Sequence, residues 1–324
     1  MNESVNKNEI SVKIRNLALE VATCPEIEKA MGGKHACSGV VEWQRGQFRD
    51  MGVAENEITE RMHRPEAWAG NLETAKIVWL SSNPSFSDEE SFPTWDKSWS
   101  EDHIVDFVTN RFSSDVGRGY GAGDEPGKSW DKSIGKSGQL SKKRVSTWSV
   151  LRNRTSVILQ KPVKEVFASR DYVMTEVVHC KSPGEKGLSN ECVVHCSKRW
   201  MSQILDSSIC PAGLIVVSGD KAAYALRLAM PDLPLSWGPA VLSEQKGEGP
   251  RYWPKSNAEL LSRVNDGTWT ISEQQCHTIK RSLYGKERTL VWLPHPTGSL
   301  PRNIKNPDLI HPDLLEQWHQ AANS

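Results

Sequence analysis

The sequence predicts an α/β protein, a three-layer α/β/α sandwich around a central, mostly parallel sheet of four strands. Two observations lead to this prediction: four short apolar runs without polar alternation, and helical patterns between them. Continuous apolar runs are typical of strands covered on both faces, as in parallel sheets. Alternating strands and helices then favour helices on both faces. A chain of 324 residues with 37% hydrophobic content is long enough to bury such a core.

The predicted elements follow one another along the second half of the chain. Each strand is short and rich in β-branched residues, and we place the strands at 76–82, 172–179, 214–218 and 289–293. Helices are predicted between and after them, at 191–207, at 219–230 and at 312–322. The second of these ends before Pro231, which cannot continue a helix.

Two regions do not belong to this alternation. Residues 1–70 are polar with a helical pattern, so we predict an N-terminal helical extension, followed by an α/β domain over 71–324. Within that domain, residues at about 96–150 are rich in Gly, Ser, Lys and Trp and predict an insertion. Long loops in compact domains are usually functional or mobile.

Charge is segregated around the insertion, although forty basic and forty acidic residues cancel over the whole chain. Seven acidic residues and one lysine lie between Asp88 and Asp106. Between Gly127 and Arg170, eleven basic and two acidic residues leave a net charge of +9. Basic residues interleaved with Trp and Gly favour a nucleic-acid surface, and a solvated helix face is the alternative. The thirteen tryptophans of the chain are also suited to stacking on flat, polar-edged groups.

The composition also excludes several classes of protein. No apolar run approaches the roughly 20 residues that span a bilayer, so no membrane partner is expected. The N-terminal segment lacks the apolar stretch of a secretory signal, which predicts a cytoplasmic protein. Seven cysteines are too few for a disulfide scaffold in this length, and reduced thiols are expected. Gly-Lys-Ser at 127–129 and 135–137 lacks the P-loop context, so no nucleoside triphosphate is expected.

Polar, turn-forming clusters follow each predicted strand, at 81–85 (SSNPS), 180–183 (CKSP), 218–221 (SGDK) and 295–300 (HPTGSL). The carboxyl ends of parallel strands lie at the same edge of a sheet, where ligands bind in α/β proteins. The sequence therefore predicts one site built from four loops.

In these motifs, over about 76–302 apart from the insertion, the chain resembles the uracil-DNA glycosylase superfamily. The segment 81–85 is similar to the Gly-x-Asn-Pro-Gly first motif of one branch, and His295-Pro296-Thr297 is similar to the second motif. The resemblance implies a glycosylase-like fold, with Asn83 holding the hydrolytic water and His295 stabilising the departing base. Leu300 would enter the base stack as the target nucleotide leaves it.

The resemblance also implies which residues contact the substrate. Ser82 and Ser85 would line the base site, and Phe92 would stack on the flipped base, with Phe86 as the second candidate. The DNA itself would be contacted by Lys181, Ser182, Thr297, Gly298, Ser299, Leu300 and Arg302.

The first motif lacks the carboxylate found in the most active branch. Because the neutral amide of Asn83 is a poor base, bond breaking would precede the addition of water, with phosphates and His295 stabilising the charges. If a carboxylate is required, the nearby substitutes are Asp88, Glu89 and Glu90.

Glu176 stands where the uracil-removing branches usually have an asparagine that reads the edge of uracil. A carboxylate accepts hydrogen bonds but cannot donate one to O4 of uracil unless it is protonated, and it suits the amino group of cytosine. We therefore expect Glu176 to bind a cytosine-derived base. The alternative is that Glu176 pairs with a local Lys or Arg and reads nothing.

The cysteines resemble those of the iron–sulfur branch of the same superfamily. That branch has one Cys at the end of the second strand, one early in the following helix and two near the N-terminus. Cys180 and Cys196 fit the first pair, and Cys24 and Cys37 are the N-terminal candidates, although they are spaced more widely than in C-x-x-C. Thiolates are the ligands of a [4Fe–4S] cluster. A zinc site and buried free thiols are the alternatives, and a structural role is expected for Cys192, Cys210 and Cys276.

These observations predict a monofunctional DNA glycosylase that flips out a nonstandard base, hydrolyses its N-glycosidic bond and leaves an abasic site. By analogy with superfamily members that act on phage DNA, the preferred substrate is a modified cytosine such as glucosylated hydroxymethylcytosine, in antiviral defence. Uracil excision in DNA repair is the first alternative. A non-catalytic protein that binds DNA or a modified nucleotide is the second, and a small-molecule hydrolase or transferase is the third.

Overall fold

A computed structural model describes residues 2–87, 90–112, 139, 145–233, 237, 278–293, 295 and 310–324 of the chain. Strands and helices alternate along it, which confirms the expected α/β class. The sheet differs from the expected one, because among the described residues it has six strands rather than four, and it is mixed.

The strands are β1 (Ala69–Gly70), β2 (Ile77–Ser81), β3 (Tyr172–Glu176), β4 (Leu214–Ser218), β5 (Ile279–Leu283) and β6 (Lys286–Leu293). Their order in the sheet is β1-β3-β2-β4-β6-β5. The central strands β3, β2, β4 and β6 pair in parallel, and β1 and β5 are antiparallel at the edges.

The central strands are those that the sequence predicts, and the edge strands were missed. β5 alternates between exposed and half-buried residues, as an edge strand does, so no continuous apolar run marks it. β1 has only two residues.

The helices of the described residues are α1 (Asn2–Ala22), α2 (Glu26–Met31), α3 (Ser38–Asp50), α4 (Glu55–Arg61), α5 (Glu101–Asn110), α6 (Ser146–Ile158), α7 (Asn190–Ile204), α8 (Asp220–Ala229) and α9 (Pro312–Ala322). The last three lie where the sequence predicts helices. In this part of the chain, no helix combines the length and the apolar character needed to cross a bilayer.

Both faces of the sheet are covered, because alternate strand residues enter two separate apolar clusters. Val78 and Leu80 of β2 pack in one cluster with α1, α3 and α7. Ile77 and Trp79 pack in the other with α6 and α9. Trp79 is also one of several tryptophans among the largest fully buried side chains, the others being Trp68, Trp237 and Trp318. These tryptophans build the core rather than a stacking surface.

The helices of the N-terminal segment share a core with the sheet. Leu17 of α1, Val40 of α3 and Ile58 of α4 are buried in the same cluster as Val173 of β3. Although the segment is polar in composition, its apolar residues face the sheet. This packing also brings the chain around α2 and α3 close to the end of β3.

The predicted insertion is described only in part. It contains α5, and α6 begins near its end. Residues 113–138 and 140–144, which include six of the eleven basic residues, lie outside the described part of the chain.

Most of the described basic residues of this stretch do not form a free charged surface, although Lys164 is exposed. Arg152 and Arg154 are buried in α6. Lys161 and Arg170 both pair with the buried carboxylate of Asp171, at 3.1 and 2.8 Å. The predicted anion-binding footprint is therefore smaller than its formal charge indicates.

Candidate functional site

The strand order determines where a ligand site forms. The chain leaves β2 for β3 on one side of it, and leaves β4 for β5 and β6 on the other. Neighbouring parallel strands whose connections diverge leave a crevice outside their carboxyl ends, which is the usual ligand position in α/β sheets. For this strand order the rule points to the gap between Ser82-Asn83, after β2, and Gly219, after β4.

Asn83 is anchored by the loop that follows β3. Its Nδ2 donates to the backbone oxygen and to Oγ of Ser182, both at 3.0 Å. Longer contacts reach the backbone oxygens of Cys180, at 3.4 Å, and Pro84, at 3.3 Å. Because three of these neighbours are carbonyl oxygens, the nitrogen must face them, so Oδ1 faces the other way. Oδ1 is therefore the atom that Asn83 can offer to a water molecule.

A second chain of polar contacts joins the loops after β2, β3 and β4. Ser82 Oγ donates to Glu185. Glu185 Oε2 lies 2.5 Å from Lys221 Nζ, at the start of α8, and Lys221 also donates to the backbone oxygen of Gly184 at 3.3 Å. Sequence reasoning did not name Glu185 or Lys221 individually as site residues, although Lys221 belongs to the predicted loop 218–221. Glu185 lies nine residues beyond the end of β3, outside the predicted cluster 180–183.

His295 follows β6 and packs against Gly219. A Cβ added to Gly219 would lie 3.0 Å from His295 Cβ, and the φ of +94° at Gly219 is also one that favours glycine. Partial burial lowers the pKa of His295 below its ordinary value, the positive charge of Arg154 lowers it further, and Glu185 opposes both. The imidazole is therefore neutral near pH 7, with one N–H to donate.

These contacts connect the loops that follow all four parallel strands. Ser82 and Asn83 bond to the loop after β3, Glu185 of that loop pairs with α8, and His295 lies against Gly219. Ser85 is exposed beside them. The loop whose Leu300 was predicted to enter the base stack lies outside the described residues. The same holds for Thr297, Gly298, Ser299 and Arg302.

Lys181 and Ser182, which were expected to contact DNA, are buried instead. Lys181 is 2% exposed, and its Nζ lies 2.8 Å from Glu66 Oε2. Ser182 is 1% exposed and bonds to Asn83. The prediction of phosphate contacts is wrong for both residues in this conformation, because Glu66 compensates the charge of Lys181 inside the protein.

Phe92, the expected stacking partner of the base, is also a core residue. It is 4% exposed and stacks on His63, with ring centroids 5.2 Å apart. Lys181 Nζ lies 3.5 Å from the centre of its ring. Phe86, the second candidate, is half-buried and contacts Trp43 and His63. The ring of Phe92 is therefore assigned to packing.

The buried ion pair of Lys181 belongs to a larger network. Arg111 Nη1 lies 2.6 Å from Glu66 Oε1, and Arg111 Nη2 pairs with Glu90. Burial alone would raise the pKa of Glu66, but the charges of Lys181 and Arg111 lower it to about 2. Because Glu90 is held by Arg111, it does not serve as the substitute carboxylate, and Asp88 and Glu89 lie outside the described residues.

Glu176 ends β3 and is in register with Ser81 of β2. Its Oε2 is buried and has no hydrogen-bond partner in the described part of the protein. Burial, and then the charge of Glu66, raise the pKa of Glu176 well above its ordinary value, while Lys181 and Arg111 act in the opposite direction. Both of these cations are engaged by other carboxylates, so Glu176 makes no direct ion pair within the described residues.

The four cysteines named above as cluster ligands line a single cavity. Cys24 precedes α2, Cys37 precedes α3, Cys180 follows β3, and Cys196 lies in α7. The cavity leaves about 10 Å³ of space for the centre of a water-sized molecule. The rest of the wall is formed by Glu26, Ile27, Pro65, His179, His195, Arg199 and Trp200.

The chemistry of this cavity fits a thiolate-bound metal group. The six described cysteines are all free thiols. Burial raises the pKa of Cys24, Cys180 and Cys196. Such thiols become thiolates when a metal binds them, and an all-sulfur donor set suits an iron–sulfur cluster or zinc.

Cys192 lies behind Cys37 and does not line the cavity. Its S–H donates to Cys37 Sγ at 3.6 Å, and this hydrogen bond lowers the pKa of Cys37. The two segments meet at a pair of glycines, since a Cβ on Gly187 would lie 2.3 Å from the backbone oxygen of Gly39. Because of this close contact, Cys37 lies near the start of α7.

A group of three side chains beside the cavity has metal-ligand chemistry. The ligand atoms of Glu26, His35 and His195 lie within 4.8 Å of one another. However, His35 Nδ1 accepts a hydrogen bond from the backbone N–H of Cys37, so neutral His35 carries its proton on Nε2, 2.9 Å from Glu26. Glu26 also pairs with Lys29 and Arg199, each at 3.1 Å. The group is therefore a charge network around Glu26.

Neither a scan against protein-family models nor a search of the curated proteins returned a match to this chain. The function is therefore inferred from two groups of residues. One is the linked loops after the parallel strands, with Asn83, Glu185 and His295, which we call the strand-end site, and the other is the cysteine cavity.

Proposed function

We propose that this protein is a monofunctional DNA glycosylase of the uracil-DNA glycosylase type, which excises a nonstandard base and leaves an abasic site. The observation that carries the proposal is the linkage of four strand-end loops. Contacts join Asn83 to the loop after β3, Glu185 of that loop to α8, and Gly219 to His295. A central parallel run of strands with helices on both faces is compatible with the glycosylase-like sandwich.

The cysteine cavity is a second, independent support. Resemblance to the iron–sulfur branch selects Cys24, Cys37, Cys180 and Cys196 out of seven cysteines, and the same four line one cavity. These residues would hold a [4Fe–4S] cluster. When bound, the cluster would cross-link the N-terminal helices to β3 and α7.

The side chains at the strand ends have separate roles in the proposed reaction. Asn83 Oδ1 orients the attacking water, since Nδ2 is held by Ser182. The neutral imidazole of His295 donates an N–H to the base as negative charge develops on it. Glu185 is paired with Lys221 and so is not free to act as a base. The glycosidic bond therefore breaks first, water adds to C1′ of the sugar, and its proton passes to solvent.

We propose a modified cytosine, such as glucosylated hydroxymethylcytosine in phage DNA, as the preferred substrate. The position of Glu176 supports this choice. In either protonation state, a carboxyl group accepts a hydrogen bond from the N4 amino group of cytosine, whereas O4 of uracil requires the protonated form. A cytosine edge is therefore bound in both states. Because a protonated Glu176 can also donate to O4 of uracil and accept from its N3–H, uracil is the alternative substrate.

An abasic-site assay tests the proposal. The full-length protein would be incubated with oligonucleotides that contain cytosine, uracil, hydroxymethylcytosine or its glucosylated form, and alkali-labile breaks would be counted. We expect breaks at the glucosylated base, reduced about 100-fold or more by Asn83→Ala or His295→Ala. Asn323→Ala is the matched control, because Asn323 bonds to Lys76 at the opposite end of β2.

The other outcomes separate the alternatives. Salt-dependent DNA binding without breaks at any base would replace the enzyme with a non-catalytic DNA-binding protein. The absence of any salt-dependent affinity for DNA would reject both the glycosylase and the non-catalytic DNA-binding protein. Breaks that persist in Asn83→Ala and His295→Ala together would overturn the assigned roles.

A further inference from the structure

Glu176 occupies the carboxyl end of β3 on the sheet face that packs against α6. Tyr172 and Met174 of the same strand lie in the apolar cluster on this face, and alternate strand residues share a face. Val291 and Leu293 of β6 lie in the same cluster, and His295 follows Leu293 by two residues. Glu176 is thus placed at the edge where the strand-end site forms.

The charges around Glu176 are balanced without it. Lys181 lies 2.8 Å and Arg111 2.6 Å from oxygens of Glu66, and Arg111 also pairs with Glu90. These two cations and two carboxylates sum to zero. An ionised Glu176 would add an uncompensated buried negative charge, which is strongly unfavourable in a medium of low dielectric constant.

The contacts of Glu176 agree with a neutral group. Its Oε2 is buried without a hydrogen-bond partner among the described residues, while the residue as a whole is half-buried and so is not closed off from the end of the strand. A buried carboxylate would be expected to collect several donors. The ionisable groups that face it are Glu66 before β1, Arg111 after α5 and Lys181 after β3; burial and then the charge of Glu66 raise its pKa, while Lys181 and Arg111 lower it.

We propose that Glu176 acts as a neutral carboxylic acid whose O–H and C=O together read the Watson–Crick edge of the flipped base. This inference rests on the proposed glycosylase function and deepens it. For a cytosine-type base, the O–H donates to N3 and the C=O accepts from the N4 amino group. A protonated carboxyl group thus presents a donor and an acceptor, as the amide of the asparagine it replaces does.

Infrared difference spectroscopy tests the protonation state without any substrate. The carbonyl band of a protonated carboxyl group should be present at pH 7 and should disappear in Glu176→Gln. Glu73→Gln is the matched control, since Glu73 is exposed and its substitution should leave that band unchanged. A wild-type protein that lacks the band at pH 7 overturns the inference, whether or not the protein cleaves DNA.

Kinetics on the best substrate test the role in recognition. Glutamine keeps a donor and an acceptor without a charge, so Glu176→Gln should keep kcat/KM within about threefold, while Glu176→Ala should lose about 100-fold. If both folded variants lose activity equally, Glu176 does not act as a neutral reader. If the wild-type protein cleaves no base at all, the proposed function fails, and the infrared result still decides whether Glu176 is neutral.

Discussion

Lys181 Nζ and Glu66 Oε2 lie 2.8 Å apart, although 115 positions separate the two residues in the chain. The pair is buried, and Arg111 binds the second oxygen of Glu66 at 2.6 Å. This relationship removes Lys181 from the protein surface and makes Glu66 the centre of a network that ties the N-terminal segment to the end of β3.

Replacing Glu66 tests the network. In Glu66→Gln, two buried cations lose their shared carboxylate, so we expect the free energy of unfolding to fall by about 3–5 kcal/mol. Urea unfolding at pH 7 measures this change. Glu73→Gln, at an exposed position, should change the free energy of unfolding by less than about 0.5 kcal/mol.

The same carboxylate predicts a pH dependence. The pKa of Glu66 is about 2 in the folded protein against 4.5 for an ordinary glutamate. The folded state binds fewer protons, so the stabilisation is complete above pH 4.5 and is lost as the pH falls towards 2. The wild-type protein should lose about 3 kcal/mol over this range, and Glu66→Gln should lose correspondingly less. Equal losses in urea titrations of the two proteins would contradict the assignment.

Serine substitutions test the cysteine cavity. We expect the wild-type chain to take up iron and acid-labile sulfide on anaerobic reconstitution, and Cys24→Ser, Cys37→Ser, Cys180→Ser and Cys196→Ser each to lose this uptake. Cys210→Ser is the control, because Cys210 does not line the cavity. Equal metal loss in Cys210→Ser would argue against the site, and zinc in place of iron in the wild-type protein would identify the alternative.

Two glycine substitutions test the contact that brings α3 to α7. Gly187 has a φ of +79°, and its Cβ would lie 2.3 Å from the backbone oxygen of Gly39. We expect Gly187→Ala to destabilise the protein by more than about 1 kcal/mol and to weaken metal binding by displacing Cys37. Gly46→Ala in α3 is the control, since nothing lies within 4 Å of its added Cβ and alanine favours the helix. Thermal unfolding with metal analysis measures both effects.

An aspartate in place of Asn83 is expected to reduce rather than restore activity. Although a carboxylate is a better base than an amide, the second carboxylate oxygen in Asn83→Asp would face the carbonyl oxygens of Ser182 and Cys180 in place of Nδ2. Repulsion would displace or protonate the new carboxylate. We expect at least a roughly tenfold loss of kcat in the abasic-site assay, and a gain in kcat would disprove the anchoring role of the Asn83 amide.

The local pattern of apolar residues predicted much of the fold, because a strand that is buried on both faces is a continuous apolar run in the sequence. The runs that became β2, β3, β4 and β6 are continuous and apolar. β5 is half exposed and left no such trace. For the candidate site, the order of the motifs placed Asn83 and His295 at one sheet edge, but it did not indicate that Glu185 and Lys221 would join them.

The amino-acid sequence by itself determined the α/β class, the central strands and the last three helices. Only the tertiary structure decided which polar residues face solvent. Lys181, Ser182 and Phe92 lie in or beside motifs that suggest contacts with DNA. In the structure, however, Lys181 pairs with Glu66, Ser182 bonds to Asn83, and Phe92 stacks on His63 in the interior. The physical reason is that strand and helix periodicity is a short-range property of the chain, whereas the burial of a charge depends on partners supplied from distant segments.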